Sequence, residues 1–211
     1  MPFAIDDFIR LRPFAYHVTS RQNLDPLRSS RRIRAAANLI RDADRLDLLG
    51  FRRADEVVLD TSLGQVVLKD QRPLIAANVR LADGWTLGDF VEYLNSYVYF
   101  WPGRDRGPIG PGQRLLDHYE SEGPAVLRIP TADLLQANAA TVPEFCPFNS
   151  GAPRFNAGRP AFRGPSLFMD ADRFPRGASE VIELAFRGDV TLPSTTMVRS
   201  ATGWSGLGEP E

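Results

Sequence analysis

The chain has 211 residues, 43% of them hydrophobic and 24% charged, with a formal net charge of −1. That length buries one substantial core, and the near-zero charge excludes a global electrostatic pull towards nucleic acid. Cys146 is the single cysteine, so no intramolecular disulfide forms and a reducing, cytoplasmic setting is expected.

The opening MPFAIDDFIRLRPF carries Asp6, Asp7 and Arg10 and lacks an uninterrupted apolar run, so neither a signal peptide nor a membrane anchor is expected there. Residues 4 to 10 read as a short helix, and PFAYHVTS, residues 13–20, as an extended segment holding His17. Asn23 can then cap a turn with Pro26 near its start, where the missing N–H costs little. From Ser30, the spacing of Ile33, Ala36, Ala37, Ile40 and Ala43, extending to Leu46 and Leu48, predicts one long amphipathic helix closed by Gly50.

Two β-branched runs around Gly64, in ADEVVLDTSLGQVVLKDQRPL, predict a hairpin. Thr86 is placed to cap a helix, and an aromatic strand follows from Tyr97 to Trp101, where Tyr97, Tyr99 and Trp101 share one face. The loop GRDRGPIGPG is no phosphate cradle, because its prolines remove the N–H donors such a loop needs. A helix RLLDHYESE, a strand AVLRIP and a helix ADLLQAN capped by Thr131 come next.

Residues 141–179 are irregular, yet Phe145, Phe148, Phe155, Phe162 and Phe168 argue for a packed, functional loop rather than disorder. Residues 180–186, EVIELAF, read as a late strand, and 202–211 as a flexible tail. No repeat or linker divides the chain, so a single domain over 1–201 is expected. Its helices and strands mix without βαβ alternation, which places it in the α+β class.

Several chemistries find no support. Two distant histidines and one cysteine give no zinc spacing, so no metal site is expected. Dinucleotide and nucleotide-triphosphate glycine motifs are missing, as is a G-x-S-x-G nucleophile elbow. What remains is His17 beside Tyr16 and Thr19, the tyrosine strand, and Glu180 and Glu183 in an apolar late strand. Taken singly, a strand histidine is a satisfied structural residue and a strand glutamate faces solvent.

In chain order, however, these features form a pattern. YHVTSRQNL resembles the opening Y-H-[IF]-T-x-x-x-N-L of the DarT-type DNA ADP-ribosyltransferases, and SYVYFWPG is similar to their DYVPFYF-type strand. The more distant RNA 2′-phosphotransferases also begin with such a histidine-bearing strand. The whole chain also looks like an uncharacterised bacterial family built on Y-H-x-T, F-W-P-G and N-S-G-x-P-R segments.

The first resemblance implies an ADP-ribosyltransferase-like fold, a split mixed β-sheet with flanking helices, and NAD as substrate. It implies that His17, supported by Thr19, holds a ribose hydroxyl. Tyr97 and Tyr99 would line the nicotinamide pocket, with Tyr16 facing the core. Arg72 sits where the family's arginine is expected, and Glu183, with Glu180 second, would be the catalytic carboxylate. Asn149, Ser150, Arg154 and Arg163 form the substrate loop, and Arg72, Arg154 or Arg163 would neutralise the pyrophosphate.

The segment YFWPGRDRGP departs from the family's PFYF-x-x-R-S-P-M, so a thymidine-DNA substrate is not carried over. The insertion NSGAPRFNAGRPAFRG also replaces what the family has before the glutamate strand. The acceptor stays unassigned, with nucleic acid among the candidates, and a toxin-like role with an antitoxin-like partner is compatible with the pattern. No membrane partner is expected. Two rivals stand beside this reading: a 2′-phosphotransferase-like enzyme acting on RNA or a nucleotide, and a non-catalytic binding protein of the same fold.

Overall fold

The structure, a computed structural model, describes residues 3–201 and 203–209. Seven strands form one path across the molecule. From edge to edge they are Gly203–Gly206, Met197–Ser200, Ala125–Pro130, Phe14–Thr19, Tyr97–Arg104, Glu183–Arg187 and Glu144–Cys146; the short strand Gly107–Pro108 folds back on the end of Tyr97–Arg104. The class is α+β, as expected. Every ladder of this sheet is antiparallel, which corrects the expectation of a mixed sheet. The one parallel pair among the described residues joins Phe162–Arg163 to Arg80–Leu81, outside it.

The aromatic strand changes partner halfway. Trp101, Pro102 and Gly103 pair with the first strand, while Tyr97 to Phe100 pair with Glu183–Arg187. Beyond the Tyr16–Trp101 pair the first strand and the aromatic strand no longer pair. The expected alternation holds: Val98 and Phe100 enter the main core with Phe8, Leu127, Leu184 and Phe186. Tyr97 and Tyr99 join Phe90, Val91, Leu94 and Phe168 on the other side. Tyr16 is buried, as expected, against Leu116 and Val126.

Local signals place several elements correctly. Thr86 caps the helix Leu87–Asn95 through a reciprocal capping box with Asp89. Val57–Thr61 and Gly64–Leu68 form the expected hairpin, with Gly64 at φ 90°, in the region that favours glycine.

The long helix from Ser30 to Gly50 is not formed. Arg32–Ile33 instead pairs with Val190–Thr191, and the helix runs only over Ala36–Asp42, followed by a 3₁₀ turn at Leu46–Leu48. The reason is tertiary. Asp189 accepts from the Ala35 N–H at 2.9 Å and from Asn38 Nδ2 at 2.7 Å, which anchors the helix start at Ala35. Arg31 and Asp44 adopt φ of 51° and 53°, breaking the helical path on either side.

Smaller differences share this origin. Asn23 does not cap with its side chain, which bonds across to the hairpin. Thr131 is the first residue of its helix, and its hydroxyl donates to Arg12 O at 2.6 Å. The helix expected at RLLDHYESE begins earlier, at Gly110. The late strand begins only at Glu183, since Ala178–Glu180 forms a 3₁₀ turn. The tail expected to be flexible contributes the paired edge strand Gly203–Gly206, while residues 202, 210 and 211 lie outside the described residues.

Candidate functional site

His17, Tyr99 and Glu183 come from three neighbouring strands and line a single cavity of about 300 Å³. Where the first and aromatic strands stop pairing, the Tyr99 carbonyl is taken by a side chain: His17 Nδ1 lies 2.9 Å from it. A carbonyl only accepts, so Nδ1 carries the proton and Nε2 keeps the lone pair. Burial lowers the His17 pKa against the opposing pull of that carbonyl, which keeps the ring neutral at neutral pH.

Glu183 is 3% exposed, and the Ser150 N–H donates to its Oε2 at 3.1 Å. Burial raises the carboxyl to about 7, against the hydrogen bonding of Ser150 and the positive charge of Arg163. A carboxyl poised there changes charge at neutral pH and suits general-base work.

Other expected residues meet the same cavity. Thr19 lines it, its hydroxyl oxygen accepting from Asn23 Nδ2 at 2.7 Å. Asn149 and Ser150 form part of the wall. Tyr99 donates its hydroxyl to Leu94 O. Tyr97 reaches the wall but is mostly core, 5% exposed, with its ring 4.7 Å from that of Phe168.

Four expected residues belong elsewhere. Arg72 stands beside a second cavity, its charge held by Asp70 at 2.9 Å and by Glu122. Arg154 is exposed and does not line the cavity. Arg163 is wholly buried, and its guanidinium donates to backbone carbonyls, including Ser150 O at 3.2 Å and Ala152 O at 3.0 Å. Glu180 is exposed on its 3₁₀ turn and pairs with Arg176 at 3.2 Å. Arg72, Arg163 and Glu180 are each engaged by other groups, while Arg154 turns to solvent.

Three arginines do line the cavity, Arg32, Arg34 and Arg53, and Arg53 is the buried one. It is 5% exposed, donating from Nε to Lys69 O at 3.0 Å and from Nη1 to Asn95 Oδ1 at 3.1 Å. Among the described residues it has no carboxylate ion pair, whereas Arg34 and Lys69, also in the wall, are both paired. Burial lowers its pKa to about 10, which leaves it a cation. The dipeptide Arg52-Arg53 offered no means of choosing between the two; Arg52 bonds backbone carbonyls of Leu74 and Arg72.

Asn23, expected only as a cap, donates to Val67 O and accepts from Val67 N, each at 2.8 Å. It thereby ties the hairpin over the end of the first strand. Among the described residues no group of three His, Cys, Asp or Glu side chains is arranged to hold a metal ion, and no helix is long and apolar enough to cross a membrane.

No curated protein and no solved structure matches the chain. A family profile does match, over residues 13–197, a span that includes the YHVT, FWPG and NSGAPR segments. The chain therefore belongs to that family, described as a family of unknown function, DUF7002.

Proposed function

We propose that this protein is an NAD-dependent ADP-ribosyltransferase-like enzyme, which cleaves the nicotinamide–ribose bond and passes ADP-ribose to an acceptor. The observation that carries this reading is the meeting of His17, Tyr99 and Glu183, from three adjacent strands, at one cavity. An ADP-ribosyltransferase-like split sheet is part of the proposal, supported by the change of partner midway along the aromatic strand.

In this reading His17 Nε2 accepts a hydrogen bond from a ribose hydroxyl, and Tyr99 forms the wall beside the nicotinamide. Arg53 replaces Arg72 as the cation that meets the pyrophosphate, because it lines the cavity and no carboxylate is in direct ion-pair contact with it among the described residues. Departure of nicotinamide takes the electron pair of the C–N bond and leaves oxocarbenium character on the ribose. Ionised Glu183 stabilises that charge and takes the proton that the acceptor nucleophile loses as its bond to the ribose forms. The largely apolar cavity strengthens these interactions by excluding water.

Calorimetry of NAD added to wild-type and His17→Ala protein, with chromatography of released nicotinamide, tests the reading. Heat and nicotinamide release are expected from the wild type, and weaker binding from the variant. Equal, negligible heat in both would sink the assignment. NAD-dependent loss of an RNA 2′-phosphate would favour the phosphotransferase instead.

A further inference from the structure

Arg163 is among the largest fully buried side chains in the molecule, and no carboxylate forms an ion pair with it among the described residues. A buried cation of this kind carries a large desolvation cost that geometry must offset. Here the offset comes from four backbone carbonyls. Besides Ser150 and Ala152, the guanidinium reaches Ala161 O and Phe162 O, both at 3.4 Å, and it lies 4.4 Å from the centre of the Phe148 ring. Its own backbone is anchored: the Arg163 carbonyl accepts from Ala82 N at 2.8 Å, and Phe162–Arg163 pairs with Arg80–Leu81.

The side chain therefore runs from a fixed point to the turn at residues 150–152. The Ser150 carbonyl bonds Arg163 while the Ser150 N–H bonds Glu183. One residue thus links the guanidinium to the carboxylate. We infer that Arg163 is a positioning residue: it holds the Asn149–Ala152 turn so that the Ser150 N–H meets the Glu183 carboxylate. The inference rests on the proposed role of Glu183.

The other groups that face Glu183 leave Arg163 as the relevant charge. From the edge strand comes Cys146, directly opposite in register, and from the aromatic strand comes Tyr99. Burial pushes both far above their ordinary range, so both are neutral at working pH. Loss of Arg163 removes a nearby positive charge and releases the N–H donor, and both changes disfavour the ionised carboxylate.

The test is a pH titration of the Glu183 carboxyl by difference infrared spectroscopy, with Glu183→Gln as the subtraction. It compares the wild type, Arg163→Met and Arg163→Lys, each checked by its melting midpoint. Arg163→Met is expected to raise the ionisation midpoint by about one pH unit, about tenfold in the ionisation constant. Arg163→Lys keeps the charge but cannot bridge several carbonyls with a planar fork, so a smaller upward shift is expected. A folded variant that leaves the Glu183 midpoint in place, whatever its melting midpoint, would overturn the inference, showing that Arg163 merely closes the loop. Where the Met variant does not fold, the Lys variant decides by the same criterion. Nicotinamide release from the same preparations separates the two claims: a wild type that never turns over NAD removes the catalytic reading, while the infrared shift still reports on positioning.

Discussion

The two walls of the cavity are built on different principles. His17, Tyr99 and Glu183 stand on strands, where repeated backbone hydrogen bonds set each position and the register places Leu184 opposite Phe100 and Ala185 opposite Tyr99. The adjoining stretch, residues 149–152, has no ladder; its geometry is concentrated in one buried guanidinium. A sheet tolerates the loss of a single contact because its neighbours hold the register. A loop clamped by one side chain does not. The strand wall therefore supplies chemistry that can be altered one residue at a time, and the loop wall supplies a setting that fails as a unit.

Mutations probe that contrast directly. The largest expected effect is on chemistry from the strand wall: Glu183→Gln should lower nicotinamide release roughly a thousandfold with the fold intact, as measured by chromatography. On the loop wall, Arg163→Met leaves four carbonyls without their donor and should cost about 3 kcal/mol in urea unfolding.

Titration sharpens the comparison. The pKa of Glu183 is raised in the folded state to about 7, so the native state holds a proton there that the unfolded state releases at lower pH. Stability contributed by the protonated form is present at acid pH and lost as pH rises through about 7. Glu183→Gln should therefore melt above the wild type at pH 8, by the equivalent of about 2 kcal/mol, with the gap closing towards pH 5. Nicotinamide release should run the other way, rising with pH through about 7 as the base ionises.

His17→Ala should weaken NAD binding roughly tenfold by calorimetry, the value of one ribose hydrogen bond and its local packing. Arg72→Ala, at the second cavity, should change NAD affinity by less than about twofold, since its exposed charge serves only local carboxylates. A large loss there would return Arg72 to the site at the expense of Arg53.

Much of the strand wall was legible because its signals are local. The alternation of Tyr97, Val98, Tyr99 and Phe100 sorts these residues to opposite sides of the sheet, as read from the chain. The loop wall was legible only as a place. Asn149 and Ser150 reach the cavity, but Arg154 and Arg163, similar in sequence context, go respectively to solvent and to the interior. Glu180 and Glu183 are three residues apart, yet one lies on an exposed turn and the other on a buried strand, because pairing with the aromatic strand begins only after the second.

The sequence by itself determined the hairpin, the Thr86 cap, the histidine strand and the aromatic alternation, since each is decided by steric and hydrogen-bonding preferences within a few residues. Tertiary structure decided where the helix after Ala35 starts and ends, through Asp189 and the pairing with Val190–Thr191. It also decided which arginines face the cavity and which of them, in its interior, carries no ion pair among the described residues. Arg72 forms ion pairs with Asp70 and Glu122, while Arg53 feels Asp70 only at a distance and gives its hydrogen bonds to neutral oxygens. A charge stays open to a ligand only when folding leaves it without a directly paired carboxylate, and that depends on residues far away in the chain.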